Sequence, residues 1–158
     1  MTETMPAARA ATSDELADLY ERTIMERSRK PRHGTRLACH DAHAKGDNPM
    51  CGDRVEVWVR RDGDRIAEIG FEARGCAISI AAADLMAEAA IGLDANEAKS
   101  LGERVASLAR TGAGEGADLD PLRPLAGVHA FPSRVKCATL AWHALDAALA
   151  GSREATSE

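Results

Sequence analysis

The stretch "NPMCGDRVEVWVRRDGDRIAEIGFEARGC", residues Asn48 to Cys76, decides the fold. Val55, Val57 and Val59 fall on one face of an alternating run, with Arg54, Glu56, Trp58 and Arg60 on the other. After Arg61-Asp62-Gly63-Asp64, the residues Ala67, Ile69, Phe71 and Ala73 alternate in the same way. A two-residue Asp62-Gly63 turn would set Val57 against Glu68 and mix the faces. A three-residue loop Arg61-Asp62-Gly63, with Gly63 left-handed, sets Val57 against Ala67 and Val55 against Ile69, and is the register expected. A hairpin with one apolar face needs helices to cover it.

Those helices are legible on both sides. Thr12 and Glu15 form a capping-box pattern, and Leu16, Leu19, Tyr20 and Ile24 follow at helical spacing, so a first helix runs from Ser13 until Lys30-Pro31 stops it. A first strand is expected over Thr35 to Asp41. Beyond Gly75-Cys76, "AISIAAADLMAEAAIG" is a helix too apolar all round for the surface, with Met86 in the core, ending at Gly92. Asp94 and Glu97 cap the next helix, which carries Leu101, Val105 and Leu108 and stops near Gly112. "TGAGEGAD" reads as a flexible link, and Asp120-Pro121 opens a short helix with Leu122 and Leu125. Ser133 is expected to cap the last helix, where Cys137, Leu140, Ala141, Ala144, Leu145 and Ala148 share a face before Gly151. The fold class is therefore α+β, an antiparallel sheet packed against several helices. One domain spans residues 12–151, between disordered tails at 1–11 and 152–158.

At 158 residues the chain suits a single domain with a real core. A net charge of −5 without a basic stripe, and few aromatic residues, argue against nucleic acid as a partner. No stretch reaches the length of a membrane span, and the start lacks the apolar run of a signal peptide, so an intracellular, cytoplasmic protein is expected.

Four cysteines, Cys39, Cys51, Cys76 and Cys137, suit metal or sulfur chemistry in a reducing compartment better than two disulfides. Cys51 lies in a loop one glycine from Asp53. Cys76 sits where a strand meets a helix, and Cys137 in the first turn of the last helix. Helix starts favour thiolate over thiol. Three sulfurs and one carboxylate oxygen make a tetrahedral donor set suited to zinc, and the hard, poorly matched oxygen makes the shell easier to open. No CxxC pair occurs, so spacing alone is a weak signal. Arg134 and Lys136 flank the third cysteine, either favouring the anion, binding an acidic partner surface, or standing as ordinary first-turn residues.

The segments "LYERTIMERSRKPRH", "NPMCGDRVEVWV", "FEARGCAISIAAADLM" and "FPSRVKCATLAWHAL" resemble the IscU/NifU-like iron–sulfur cluster assembly family, and within it the SufU branch. The likeness runs from about Leu16 to Leu149. It implies a three-stranded antiparallel sheet with helices, and Cys51, Asp53, Cys76 and Cys137 as metal ligands. IscU-type scaffolds carry a histidine before the third cysteine, where this chain has Lys136. They also carry a Leu-Pro-Pro-Val-Lys chaperone motif, where it reads Phe131-Pro132-Ser133-Arg134-Val135-Lys136. The segment from about Asp94 to Asp120 resembles the SufU insertion.

The resemblance implies a zinc-dependent sulfurtransferase that accepts persulfide sulfur from a SufS-type cysteine desulfurase and serves downstream cluster-assembly proteins. Cys51 is the expected acceptor, since its loop should move more easily than the helix-anchored cysteines. The rival is a scaffold that holds iron or a transient iron–sulfur cluster on the same donors and passes it on. A third reading is a purely structural zinc module. Cys39, with His40, Asp41 and His43 nearby, reads as a half-buried strand residue beside a solvated loop, against a spare ligand or a resolving thiol. His33, His129 and His143 read as surface or packing residues.

Overall fold

The computed structural model describes residues 13–49 and 52–156. Four strands form one sheet in the order β3-β2-β1-β4, with β1 Ala42–Asn48, β2 Asp53–Asp62, β3 Arg65–Arg74 and β4 Glu154–Thr156. The β1–β2 and β2–β3 pairs are antiparallel, whereas β4 joins β1 in parallel. The helices are α1 Ser13–Arg29, α2 Ala77–Ala90, α3 Ala95–Thr111 and α4 Val135–Leu149, with a 3-10 segment at Ala117–Ala130. Helices α2 and α4 cover the sheet, α3 packs on α4, and α1 packs on α2 and the 3-10 segment. Thr12, half of the expected capping box, lies outside the described residues, as do the side chains of Leu16 and Leu19.

The apolar face is the one expected: Val55, Val57, Val59, Ile69 and Phe71 are all buried under the helices. The hairpin register differs. A two-residue Gly63-Asp64 turn joins the strands, a bulge falls between Arg60 and Arg61, and Val57 faces Phe71 while Val55 faces Ala73. Alternation could not have separated the two registers, because they differ by an even number of residues and leave every side chain on the same face.

The first strand also corrects the expectation, running over 42–48 rather than 35–41. "AHAKGDN" lacks the branched residues that mark strands; what selects it is packing. A Cβ on Gly46 would sit 3.1 Å from Leu140 Cδ1 and 3.3 Å from Ala144 Cβ, so α4 crosses β1 only where the side chains are small. The chain before β1 lies over the outer face instead. The Arg36 guanidinium stands 5.4 Å from the Trp58 ring centroid, and a Cβ on Gly70 would run into the Thr35 carbonyl. That cover buries Trp58, although alternation sets it with Arg54, Glu56 and Arg60 on the face opposite the valines.

The strand count is four rather than three, because residues 154–156, read as tail, pair with β1. Cys39 is exposed and precedes β1, not half-buried within a strand. Asp94 and Glu97 do form a reciprocal capping box, and Gly112 ends α3 in the left-handed region. Ser133 does not cap α4: it lies in a 3-10 turn, Pro132–Arg134, that leads into the helix. The linking segment after Gly112 is tied down by Arg104, which donates to Glu115 O at 2.7 Å and pairs with Asp118.

Candidate metal centre

Three separate elements deliver donors to one point. Asp53 opens β2, Cys76 is the N-cap of α2, and Cys137 stands in the first turn of α4. One donor atom from each lies within 4.8 Å of the others, and among the described residues this is the one cluster of three or more such side chains. Asp53 and Cys137 are each 1% exposed, and Cys76 is half-buried. Cys51 lies outside the described residues. On either side of it, Asn48 pairs with Asp53 across β1 and β2, and Gly52 N donates to Asn48 O at 2.9 Å.

Asp53 is oriented by its own contacts. The Cys76 backbone N–H donates to Oδ1 at 3.0 Å, and the Ser79 hydroxyl donates to Oδ2 at 3.0 Å. Gly75 makes this approach possible: its φ is +133°, and a Cβ there would collide with the Asp53 carboxylate. The Cys76 Sγ lies 3.6 Å from Asp53 Oδ2. Zinc–sulfur and zinc–oxygen bonds of ordinary length, set at the tetrahedral angle, put sulfur and oxygen about 3.6 Å apart. The donor types and their spacing therefore fit a zinc-sized ion.

Positive charge and an apolar groove adjoin the cluster. Cys76 caps the positive end of α2. Arg134 faces both cysteines; the Cys76 charge, then that of Cys137, holds its guanidinium above the ordinary arginine pKa. The Tyr20 phenol is pushed up by burial and then by the charge of Cys76, against an opposing pull from Arg134, so it stays protonated near neutral pH. Tyr20, Ile24, Met25, Ile78, Phe131 and Arg134 line an open groove of about 430 Å³ that runs up to Cys76.

Of the residues expected from sequence, Asp53, Cys76 and Cys137 come together. The reading missed Ser79 and Gly75. Ser79 had a signal, since it stands one helical turn after Cys76 on the same face. Gly75 had one only in the adjacency of glycine to a site cysteine.

With this geometry, comparison with known proteins is direct. The NifU-like N-terminal domain family model matches residues 19–157, and the chain belongs to that family of iron–sulfur cluster assembly proteins. It is 36% identical over 137 residues to the zinc-dependent sulfurtransferase SufU of Bacillus subtilis, covering 85% of this chain and 92% of that one. It is equally 36% identical over 141 residues to the iron–sulfur cluster assembly scaffold protein IscU of Streptococcus pyogenes, covering 89% and 88%. Among solved structures, a protein from Fervidobacterium islandicum AW-1, proposed as the cluster assembly scaffold of the SUF system, superposes with a TM-score of 0.77 at 31% identity, covering 84% of this chain and 97% of that one. A NifU-like N-terminal structure from Brucella abortus shares the fold at 20% identity, TM-score 0.76, covering 86% and 95%. Among the described residues no helix is long and apolar enough to cross a membrane.

Proposed function

We propose that this chain is a zinc-dependent sulfurtransferase of iron–sulfur cluster assembly, with Cys51, Asp53, Cys76 and Cys137 as the zinc ligands and Cys51 as the sulfur acceptor. The observation that carries the reading is the convergence of Asp53, Cys76 and Cys137, drawn from three elements of the fold and meeting two residues along the chain from Cys51. Zinc, when bound, supplies a charge that keeps thiols ionised at neutral pH. Cys76 and Cys137 are anchored at helix starts, and Asp53 is held by the Cys76 N–H and Ser79, which leaves Cys51 as the ligand to be exchanged.

The partner is a SufS-type cysteine desulfurase that carries a persulfide on its own cysteine. The Cys51 thiolate attacks the terminal sulfur of that persulfide. A new sulfur–sulfur bond forms on Cys51, the old one breaks, and the desulfurase cysteine leaves as thiolate with no net oxidation. Arg134, already facing the site, offers a cation to the anionic persulfide. The apolar groove beside Cys76, with Phe131 51% exposed, gives the partner a surface to bury. Downstream assembly proteins would take the sulfur onward in the reducing cytoplasm.

Incubation with a cysteine desulfurase and cysteine should place a persulfide on Cys51, located by mass spectrometry, and should raise desulfurase turnover. Cys51→Ala should abolish both; undiminished stimulation by that variant would remove Cys51 from the role. The second reading is a cluster scaffold, favoured by the equal likeness to the IscU scaffold and by a donor set that serves iron as well as zinc. Protein purified without oxygen should be colourless and contain zinc under the first reading. It should be brown, with iron and labile sulfide, under the second.

A further inference from the structure

We propose that His40 and His43 form a second metal site, for a late first-row divalent ion such as zinc, away from the thiolate centre. The two imidazoles stand edge to face, with centroids 5.6 Å apart and ring planes at 75°. Two imidazoles bound to one ion through nitrogens at about 2.1 Å place their centroids about 5–6 Å apart, so the separation of this pair matches that of two rings sharing an ion.

The protonation pattern suits this role. His40 Nδ1 lies 3.3 Å from the Leu37 carbonyl oxygen. A carbonyl only accepts, so Nδ1 is the donor in this bond and Nε2 is the nitrogen left to meet an ion. A ring N–H tied to a backbone carbonyl is the arrangement that orients metal-binding histidines.

The backbone between the rings is clamped. Asp41 N donates to Val59 O at 2.8 Å, and Arg61 N donates to Asp41 Oδ2 at 2.6 Å. His43 is fixed on β1 opposite Trp58. The backbone that carries both rings is therefore bound to β2, and binding an ion would order little more of it.

This site is distinct from the first. Ala44, Gly46 and Asn48 point into the core, whereas His43 belongs to the opposite face of β1 and lies five residues from Asn48, about 17 Å along a strand. Two protein nitrogens leave positions for water, and imidazole donors suit zinc, nickel and copper. Cys39 is exposed next to His40 and is the control for a sulfur contribution.

Equilibrium dialysis against zinc, on protein whose first site is already saturated, tests the assignment. Wild type should take up a second, weaker zinc, with the imidazole nitrogen resonances of His40 and His43 shifting as it binds. His40→Asn and His43→Asn should each lose the second ion, whereas Cys39→Ser should keep it. Retention of the first zinc by every variant reports that the fold is intact. Uptake that stops at one ion in wild type would overturn the proposal. So would a second ion that survives both histidine substitutions or vanishes only with Cys39→Ser.

Discussion

Asp53 shows how much the setting of a single carboxylate can depend on its neighbours. Its oxygens are held by the Cys76 amide and the Ser79 hydroxyl, and Gly75 leaves the room for both. Ser79 is fully buried, so its hydroxyl has no water to fall back on. Ser79→Ala should lower stability by about 1 kcal/mol and weaken zinc binding about tenfold, because an unheld carboxylate must be reordered on ligation. Competition with a chromophoric chelator measures this, and an unchanged affinity would show that Ser79 does not position the ligand. At this scale the three side chains that converge were readable: an acid entering a strand, a cysteine at a glycine-cysteine junction, and a cysteine opening the last helix. Ser79 was only half readable: its place one turn after Cys76 set it on the same face, but its partner Asp53 is known only from the fold.

Between elements, the α1–α2 contact carries a buried charge cluster that the periodicity of either helix does not reveal. Arg27 donates to Asp84 and to Glu88, both at 2.6 Å, and Arg32 adds a bond to Glu88 at 3.0 Å. Asp84 is wholly buried and also accepts from His33 N. Arg27→Met should destabilise the protein by about 3–5 kcal/mol in denaturant unfolding, since it strands the Asp84 charge in the core. A loss below about 1 kcal/mol would mean that water reaches the gap.

Burial pushes the Glu88 pKa up, but its bonds and charge interactions with Arg27 and Arg32 outweigh this and leave it below the ordinary carboxylate value. A depressed folded-state pKa contributes stability above the unfolded pKa and loses it as pH falls through the folded one. The melting temperature should therefore decline from about pH 4 downward, more gently in Glu88→Gln. Glu88 is a third exposed, so solvent screening keeps this contribution below about 1 kcal/mol. An identical acid limb in both proteins would assign the loss to other groups.

Across the whole molecule, the candidate centre joins the start of β2, the N-terminus of α2 and the first turn of α4, elements far apart in the chain. An ion bound there ties the sheet to both covering helices, and it binds the folded chain but not the dispersed ligands of the unfolded one. Free zinc at about a hundred times its dissociation constant should add about 2.7 kcal/mol, or about 5–10 °C in melting temperature for a chain of this size. Calorimetry across a zinc series checks it, and a melting temperature independent of zinc would contradict a ligand set assembled by folding. The same tertiary view explains the fourth strand. Lys45 N donates to Arg153 O at 2.8 Å, and β4 covers the edge of β1 that would otherwise be open.

What the sequence by itself determined was governed by short-range period and local chemistry: the apolar face of the hairpin, the helices after Gly75 and Asp94, the stop at Gly112, and Asp53, Cys76 and Cys137 as side chains of one candidate site. Side-chain alternation, capping and turn glycines act within a few residues, so they can be read from a few residues. The hairpin register, the position of β1, the parallel β4 and the cover over Trp58 were decided only by tertiary structure. Each depends on which distant surface has room: Leu140 and Ala144 against Gly46, or the Thr35 carbonyl against Gly70. Several local patterns satisfy the same alternation, and only packing between elements separates them.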